Sequence, residues 1–141
     1  MARATLCIDT DILIDFLRAH GEQARLFEAA LERYPCAVTS ITVYELGLGI
    51  ERSARHADRR HLQRVLDVVE VVPFDLTAAR VSAHVDASLH RDGIRLHFPD
   101  LFIAGICLAR DLSLLTRNRT HFSRIPQLVL LDPDKLLSGK P

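Results

Sequence analysis

Short apolar runs alternate with longer amphipathic segments along the chain, and this alternation predicts strands separated by helices. The predicted strands are residues 5–8, 36–39, 71–74, 113–116 and 128–131. The predicted helices start near residue 10, span 22–33, 41–52, 54–69 and 76–91, and start again at Pro99. Short buried strands between helices are typical of a three-layer α/β/α sandwich with a central, mainly parallel sheet.

Turn and cap residues place the boundaries of these elements. Thr10 or Asp11 is a plausible N-cap for the first helix, and Thr39 or Ser40 for the helix after the second strand. We expect residues 117–121 to form a turn, and the chain to become polar from Asp132 onward. A single domain over residues 1–135 with a polar tail at 136–141 follows, since the sequence has neither a repeat nor a linker.

Composition narrows the class of protein. The chain has 141 residues, of which 48% are hydrophobic and 26% charged, so it is neither disordered nor fibrous. Its 18 basic and 18 acidic residues cancel, which argues against binding nucleic acid by bulk charge alone. No apolar run is long enough to span a membrane, and three widely spaced cysteines fit reduced thiols in a cytoplasmic protein.

Polar residues stand where strands end and helices begin. Asp9 directly follows the first strand and Asn118 follows the fourth, while Asp100 opens a late apolar helix. Glu45 lies near the start of the helix after the second strand. These positions can all face the edge of a parallel sheet where its working site lies. Carboxylates gathered there would favour Mg²⁺ or Mn²⁺ and phosphodiester chemistry.

Each of these residues also has an ordinary structural interpretation. Asp9 and Asp100 can be simple N-caps of the helices that follow them. Glu45 can occupy an exposed helix position, although a Glu between apolar neighbours is rarely buried without a partner. Asn118 suits a turn as well as it suits a ligand set, and Asp11 stands close enough to Asp9 to join its site.

Three segments together carry a resemblance to a known family. They are CIDTDILIDFL, SITVYELGLGIERS and FPDLFIAGICLARDLSLLTRNRTHFSRIPQLVLL, in that order. The chain resembles PIN domains over nearly its whole length, and VapC toxins of toxin–antitoxin pairs in particular. The resemblance implies an α/β/α sandwich and a Mg²⁺- or Mn²⁺-dependent endoribonuclease that leaves a 5′-phosphate. It also implies an acidic metal pocket formed by Asp9, Glu45 and Asp100.

Two positions depart from the pattern of that family. The fourth position is often Asp, whereas the block TRNRTHF offers Asn118, a neutral oxygen ligand that would hold a second metal more weakly. Asp11 stands where such toxins commonly carry Asn, and it adds negative charge beside the pocket. Thr116 can hydrogen-bond in the same region. The resemblance further implies a VapB-like antitoxin as inhibitor and a homodimer or a higher complex with it.

Arginines are candidates for contact with RNA. Arg117 and Arg119 flank Asn118 and can meet phosphates, or can simply be exposed turn residues. A basic stripe near Glu45 can contact RNA or an acidic antitoxin segment, or can be a solvated helix face. The stripe consists of Arg52, Arg55, His56, Arg59, Arg60, His61 and Arg64.

Other functions remain open at this point. A nucleotide-binding fold lacks its glycine fingerprint here, since Arg52 stands where the third glycine is required. A phospho-acceptor receiver domain would need a lysine near the acids, and the only lysines are Lys135 and Lys140. A PIN-domain nuclease of RNA processing without an antitoxin, and a catalytically weak RNA- or protein-binding module, both stay possible.

Overall fold

The computed structural model describes residues 4–19, 21–55 and 57–139, and these ranges form strands and helices in alternation. The strands are β1 (Leu6–Ile8), β2 (Cys36–Thr39), β3 (Glu70–Val72), β4 (Ser113–Leu115) and β5 (Leu130–Leu131). The helices are α1 (Thr10–Arg18), α2 (Arg25–Arg33), α3 (Ser40–Arg52), α4 (Ala57–Val68), α5 (Leu76–Arg91), α6 (Phe98–Arg110), α7 (Arg119–Phe122) and α8 (Pro133–Leu137).

The strands form one sheet in the order β3-β2-β1-β4-β5, and every pair in it is parallel. β1 lies at the centre, where Cys7 is opposite Ala37 on one side and Leu114 on the other. Because all strands run the same way, their carboxyl ends meet at one edge of the sheet. The predicted three-layer sandwich with a parallel sheet is confirmed.

Alternate side chains of the strands face two different layers of helices. Leu6 and Ile8 of β1 belong to a core cluster built with α1, α2, α3, α4 and α8. Cys7, between them, faces a second cluster with α5 and α6. Both faces of the central strands are therefore buried, which explains why these strands consist of unbroken apolar runs.

Helices α5 and α6 pack especially closely at one glycine. A Cβ added to Gly105 of α6 would overlap the Ser82 hydroxyl of α5 and press on the Ala78 carbonyl. The Ser82 hydroxyl is buried and has no hydrogen-bond partner among the described residues. Glycine is required at this point by the contact between the two helices.

Several element boundaries differ from the prediction for local reasons. The strand predicted at 71–74 is β3, which ends at Val72 because Pro73 has no N–H to continue the ladder. The helix predicted at 22–33 is preceded by a 3₁₀ turn, Gly21–Ala24, which starts at a glycine with a left-handed φ of 56°. The expected turn at 117–121 contains the short helix α7. The strand predicted at 128–131 is shorter, since β5 contains only Leu130–Leu131.

The C-terminal region is packed where the sequence suggested a polar tail from 136. Asp132 caps α8 by accepting a hydrogen bond from the Asp134 N–H at 3.0 Å. Leu136 is 3% exposed and belongs to the core cluster with α2. The packed part of the fold therefore includes Leu136, and the assignment of a single domain to residues 1–135 stays a prediction.

Two expectations from composition concern thiols and membranes. Cys7, Cys36 and Cys107 are all free and buried. Burial raises the pKa of the Cys36 thiol to about 11, so it stays protonated. Among the described residues, none of the helices has both the length and the apolar character of a membrane span.

Candidate active site

Asp9 lies at the carboxyl end of the central strand, where the backbone passes from β1 into α1. Its own N–H continues the sheet by donating to the Leu115 carbonyl at 2.9 Å. Its carboxylate then caps α1, with Oδ1 accepting from the Thr10 N–H at 2.8 Å. The N-cap is thus Asp9, which confirms its structural interpretation as a cap, and Thr10 and Asp11 are not the cap.

Asp9 is 4% exposed and surrounded by other acids. Burial and the neighbouring Asp11 charge raise the pKa of Asp9 to about 7, with a smaller push from Asp100. Thr116 opposes this shift by donating its hydroxyl to Asp9 Oδ2 at 2.7 Å. A carboxyl held this far from its usual pKa at a strand end is characteristic of a functional group.

Glu45 is tied to the same strand end through threonine hydroxyls. The Thr10 hydroxyl donates to Glu45 Oε1 at 2.8 Å and lies 3.0 Å from the Thr42 hydroxyl. Thr39 caps α3 by accepting from the Thr42 N–H at 3.1 Å. Partial burial, together with the charge of Asp100, raises the pKa of Glu45. The interpretation of Glu45 as an ordinary exposed helix position does not hold.

Asp100 lies in the first turn of α6 and acts electrostatically on both Asp9 and Glu45. Its Oδ2 is 3.6 Å from His121 Nδ1. The N-cap of α6 is His97, without a side-chain hydrogen bond, so Asp100 is not the N-cap. The structure therefore brings the three predicted acids into one electrostatic group.

Asn118 occupies the N-cap position of α7 at the end of β4, beside the acids. Its Nδ2 lies 2.9 Å from His121 Nδ1, and its backbone N–H donates to the Thr116 hydroxyl at 3.0 Å. His121 thus stands between Asn118 and Asp100. The amide is engaged with the histidine, and its carbonyl oxygen is the atom that could reach a metal.

Asp11 and Asp15 form a second acidic pair on α1, next to Asp9. Asp11 Oδ2 accepts from the Arg117 N–H at 3.1 Å, and Arg117 Nε is 2.7 Å from Asp15 Oδ2. Burial raises the pKa of Asp11, and the Arg117 charge moderates this shift. Asp11 Oδ1 is a buried acceptor with no hydrogen-bond partner in the described part of the chain.

The two arginines that flank Asn118 have different surroundings. Arg117 is held against the nearly buried Asp15, so its guanidinium is engaged within the protein. Arg119 has a looser partner in Asp132 at 3.7 Å, and half of its side chain is exposed. Both arginines are exposed, and they differ in that Arg117 pairs with a nearly buried carboxylate, so their contact with RNA stays a prediction.

The predicted basic stripe lies on the C-terminal part of α3 and on α4. Arg59 donates to Glu51 at 2.6 Å, while Arg60, His61 and Arg64 line a surface cavity of about 390 Å³ with Ala57. His56 lies outside the described residues. Arg55 of the stripe lines a cavity of about 100 Å³ together with Glu45, so part of the stripe adjoins the acids, and its role stays a prediction.

A divalent cation fits this site by the chemistry of its donors. Asp9, Glu45 and Asp100 offer only oxygen atoms, which Mg²⁺ and Mn²⁺ prefer, and Asp11 Oδ1 is an orphaned buried acceptor beside them. Among the described residues, no three His, Cys, Asp or Glu side chains already stand close enough for a common ion. Shared coordination would therefore require the carboxylates to move closer together.

The expected hydrogen bond of Thr116 is confirmed by its contact with Asp9, but sequence reasoning missed the hydroxyl network around Glu45 and the burial of Asp15. Thr10, Thr39 and Thr42 connect the ends of β1 and β2 to Glu45, and two of them are fully buried. A cluster of threonines directly after two apolar strands was the available signal. Asp15 was expected to be solvated or capping and is instead 6% exposed. It shares a face of α1 with Asp11, four residues earlier.

Comparison with known proteins adds to this geometry. A family model described as "PIN domain" matches residues 6–128. The tRNA(fMet)-specific endonuclease VapC of Salmonella typhimurium is 35% identical over 98 residues, covering 67% of this chain and 73% of that protein. Ribonuclease VapC2 of Rickettsia felis is 26% identical over 130 residues, covering 91% and 97%.

A solved structure shares the same architecture. The crystal structure of DNA-bound VapBC from Salmonella typhimurium contains a chain that superposes with a TM-score of 0.80. That chain is 26% identical to this one, and the match covers 93% of this chain and 99% of the other. The similarity therefore extends over nearly the full length of both chains.

Proposed function

The chain belongs to the PIN domain family, and from that premise we propose that it is a metal-dependent endoribonuclease acting as the toxin of a toxin–antitoxin pair. Nuclease activity, a hydrolase reaction, follows from the family and from relatives named as ribonucleases. The finer parts, which are the dependence on Mg²⁺ or Mn²⁺ and the residues at the site, rest on the arrangement of the acids.

The observation that carries the proposal is the charge coupling around Asp9. Desolvation, together with the charges of Asp11 and Asp100, raises the pKa of Asp9 to about 7. Such mutual repulsion is unfavourable unless a cation neutralises it. The negative charges at this edge of the sheet therefore favour the binding of a divalent cation.

Asp9, Glu45 and Asp100 are the residues that would hold this ion, with Asp11 and Asn118 as adjacent oxygen donors. A bound divalent cation activates water for attack on phosphorus and stabilises the charge that develops on the phosphoryl group. The protein must supply the placement of these carboxylates and a positive surface for the RNA strand.

The hydroxyl network serves to orient these carboxylates. Thr116 fixes Asp9 Oδ2 and the Thr10 N–H fixes Oδ1, which leaves the remaining lone pairs of both oxygens available. Thr10 also fixes Glu45 Oε1, so that its other oxygen is free. Hydrogen bonds to ligating carboxylates are a usual means of positioning them. Arg119 offers its exposed charge to a backbone phosphate of the substrate.

The proposal includes partners and location. A VapB-like antitoxin would inhibit the enzyme, and a homodimer or a higher complex with the antitoxin is the expected assembly, since the Salmonella typhimurium neighbour was solved as VapBC. RNA as substrate, together with three free buried cysteines, suits the cytoplasm. A nuclease of RNA processing without an antitoxin is the nearest alternative with the same chemistry.

A second candidate function is a binding module with little catalysis. It is favoured by Asn118, which stands where a fourth carboxylate is often found and which is engaged with His121. A site without this carboxylate has less charge to hold a second ion. RNA binding without cleavage would then be the outcome.

Cleavage of structured RNA by the purified protein tests the proposal. We expect cleavage with Mg²⁺ or Mn²⁺, none with EDTA, and none by Asp9→Asn. Glu28→Gln, which removes an exposed carboxylate from α2, is the matched control and should cut like wild type. Equal cleavage by wild type and Asp9→Asn, or cleavage by neither, would refute the nuclease site proposed here.

A further inference from the structure

Three aromatic side chains form a continuous row that ends at the surface, at the start of α6. Phe74 packs on Phe102 with ring centroids 4.4 Å apart, and Phe98 stacks on Phe102 at 5.8 Å with only 8° between the ring planes. Phe102 is half-buried, whereas Phe98 is 66% exposed. Phe98 thus packs on the half-buried Phe102 ring and is largely exposed to solvent.

This exposed ring belongs to the same helix turn as one of the acids. Phe98 is the first residue of α6, and Asp100 lies in the first turn of the same helix. Tyr44, which directly precedes Glu45 on α3, is 64% exposed. Two exposed aromatic residues thus lie within two positions of two of the three acids along the same helices. One face of the Phe98 ring is covered by Phe102, and its large exposed fraction leaves ring surface available for a ligand.

Basic side chains precede the ring in the loop between α5 and α6. Arg95 and His97 are both exposed. Within the ranges that the structure describes, neither is paired with a carboxylate. Asp92, at the far end of the loop, is the acid that this loop contributes. An aromatic face next to an available guanidinium is the combination that binds single-stranded nucleic acid.

We propose that Phe98 is a stacking platform for an unpaired base next to the scissile phosphate, with Arg95 holding a neighbouring phosphate. This inference rests on the proposed function and extends it, because it names the residues that would hold a base and a phosphate of the RNA beside the cleavage site. A base in a duplex is already stacked on its neighbours and cannot lie on the ring. The stacking tolerates different bases, with purines favoured by their larger faces.

A charge argument favours RNA over a second copy of the chain as the occupant. The acids repel an approaching phosphate, so a nearby cation is needed to attract it. Arg95, three residues before Phe98, provides such a cation. An interface between two copies would place the like charges of two such loops near each other. A measurement of the oligomeric state therefore distinguishes a second copy of the chain from RNA as the occupant.

Binding in the Asp9→Asn background tests the platform without cleavage. The probes are fluorescent A-only and U-only RNA oligomers of about 12 nucleotides, which is within the range of known single-strand sites. Phe98→Leu keeps the apolar bulk but removes the aromatic face, and should weaken binding of the A-only oligomer by about 5- to 100-fold. Phe98→Trp should retain or improve it. Val129→Ala, an exposed apolar residue after α7, should change nothing.

A second measurement separates stacking from charge. Arg95→Gln should lower the slope of log affinity against log salt by about 0.7, as expected for the loss of one phosphate contact on a single strand. Phe98→Leu should leave that slope unchanged. Duplex RNA of the same length should be insensitive to the change at Phe98.

Failure of the platform and failure of the proposed function give different results. If the otherwise wild-type protein cuts RNA but Phe98→Leu binds oligomers as tightly as its parent, the platform is refuted and the nuclease proposal stands. If Phe98→Leu alters the oligomeric state in sedimentation while RNA affinity is unchanged, the ring belongs to a protein interface and the platform is refuted. Absence of RNA binding by the Asp9→Asn parent refutes it as well.

Discussion

Thr10 and Glu45 are joined by a hydrogen bond of 2.8 Å, in which the threonine hydroxyl donates to a carboxylate on a different helix. Thr10 is the residue directly after Asp9, and its backbone N–H donates to the Asp9 carboxylate. One residue therefore sets the positions of two of the three proposed metal ligands. Its removal should affect the chemistry more than the fold.

Thr10→Val should impair the nuclease while leaving the protein folded. Valine has the same shape but lacks the hydroxyl, and a hydrogen bond to a charged group contributes about 1.5–3 kcal/mol. We expect at least a tenfold loss in kcat/KM and a higher Mg²⁺ requirement, measured by RNA cleavage across a metal titration. Thr10→Ser should restore most of the activity. Wild-type metal dependence in Thr10→Val would show that this bond does not position Glu45.

The stability of the metal-free protein should fall as pH rises from about 4 to about 7. Asp9 has a pKa of about 7 in the folded protein against an ordinary value of 3.8, so in this window the folded state retains a proton that the unfolded state has lost. Stability contributed by this proton is complete below the unfolded pKa and is lost as pH passes the folded one. Urea unfolding at a series of pH values measures the slope.

Asp9→Asn is the variant that isolates this effect. Asparagine is neutral throughout and can still accept from the Thr10 N–H, so the variant should show a flatter pH profile and a higher stability than wild type near pH 8. An unchanged slope would mean that Asp9 is not the group responsible.

Mg²⁺ should stabilise the protein more at high pH than at low pH. Metal competes with protons for the same carboxylates, so its binding to the folded state weakens where Asp9 is protonated. We expect a clear rise in Tm with millimolar Mg²⁺ at pH 8 and little rise at pH 5, recorded by thermal unfolding. A rise of equal size at both pH values would contradict binding through Asp9.

Arg117→Gln and Arg119→Gln should separate a structural arginine from a surface one. Arg117 pairs with Asp15, whose side chain is 8% exposed. Removal of one partner leaves a buried charge uncompensated, so Arg117→Gln should lose about 2 kcal/mol or more of unfolding free energy in denaturant titrations. Arg119→Gln should lose less than about 0.5 kcal/mol, as surface ion pairs do, and should instead weaken RNA binding. Similar stabilities for the two variants would argue against the ion pair.

Gly105→Ala should destabilise the contact between α5 and α6. The added methyl group would overlap the Ser82 hydroxyl and crowd the Ala78 carbonyl, and overpacking of this kind costs about 1–3 kcal/mol. Ser82→Ala alone should be neutral or stabilising, because it removes a buried hydroxyl without a partner among the described residues. The double variant should recover part of the loss. Chemical denaturation of the four proteins completes the cycle, and a neutral Gly105→Ala would contradict the close approach of the helices.

The sequence by itself determined the order and type of the main elements. Apolar runs such as the one before Asp9 are buried on both faces, and this requires helices on both sides of a parallel sheet. An acid directly after such a run must lie at the carboxyl edge, so Asp9 could be placed from sequence. Glu45 and Asp100 followed from the resemblance and from their positions at helix starts.

Only the tertiary structure decided which side chains meet at that edge. Periodicity encodes which face of an element is buried but not which residue of another element lies opposite, because that depends on the strand order and on the side-chain torsions. Thr116 contacts Asp9 across a sequence separation of 107. The pairing of Arg117 with Asp15 and the burial of Leu136 arise in the same way, since each needs a partner that only the assembled sheet brings within reach.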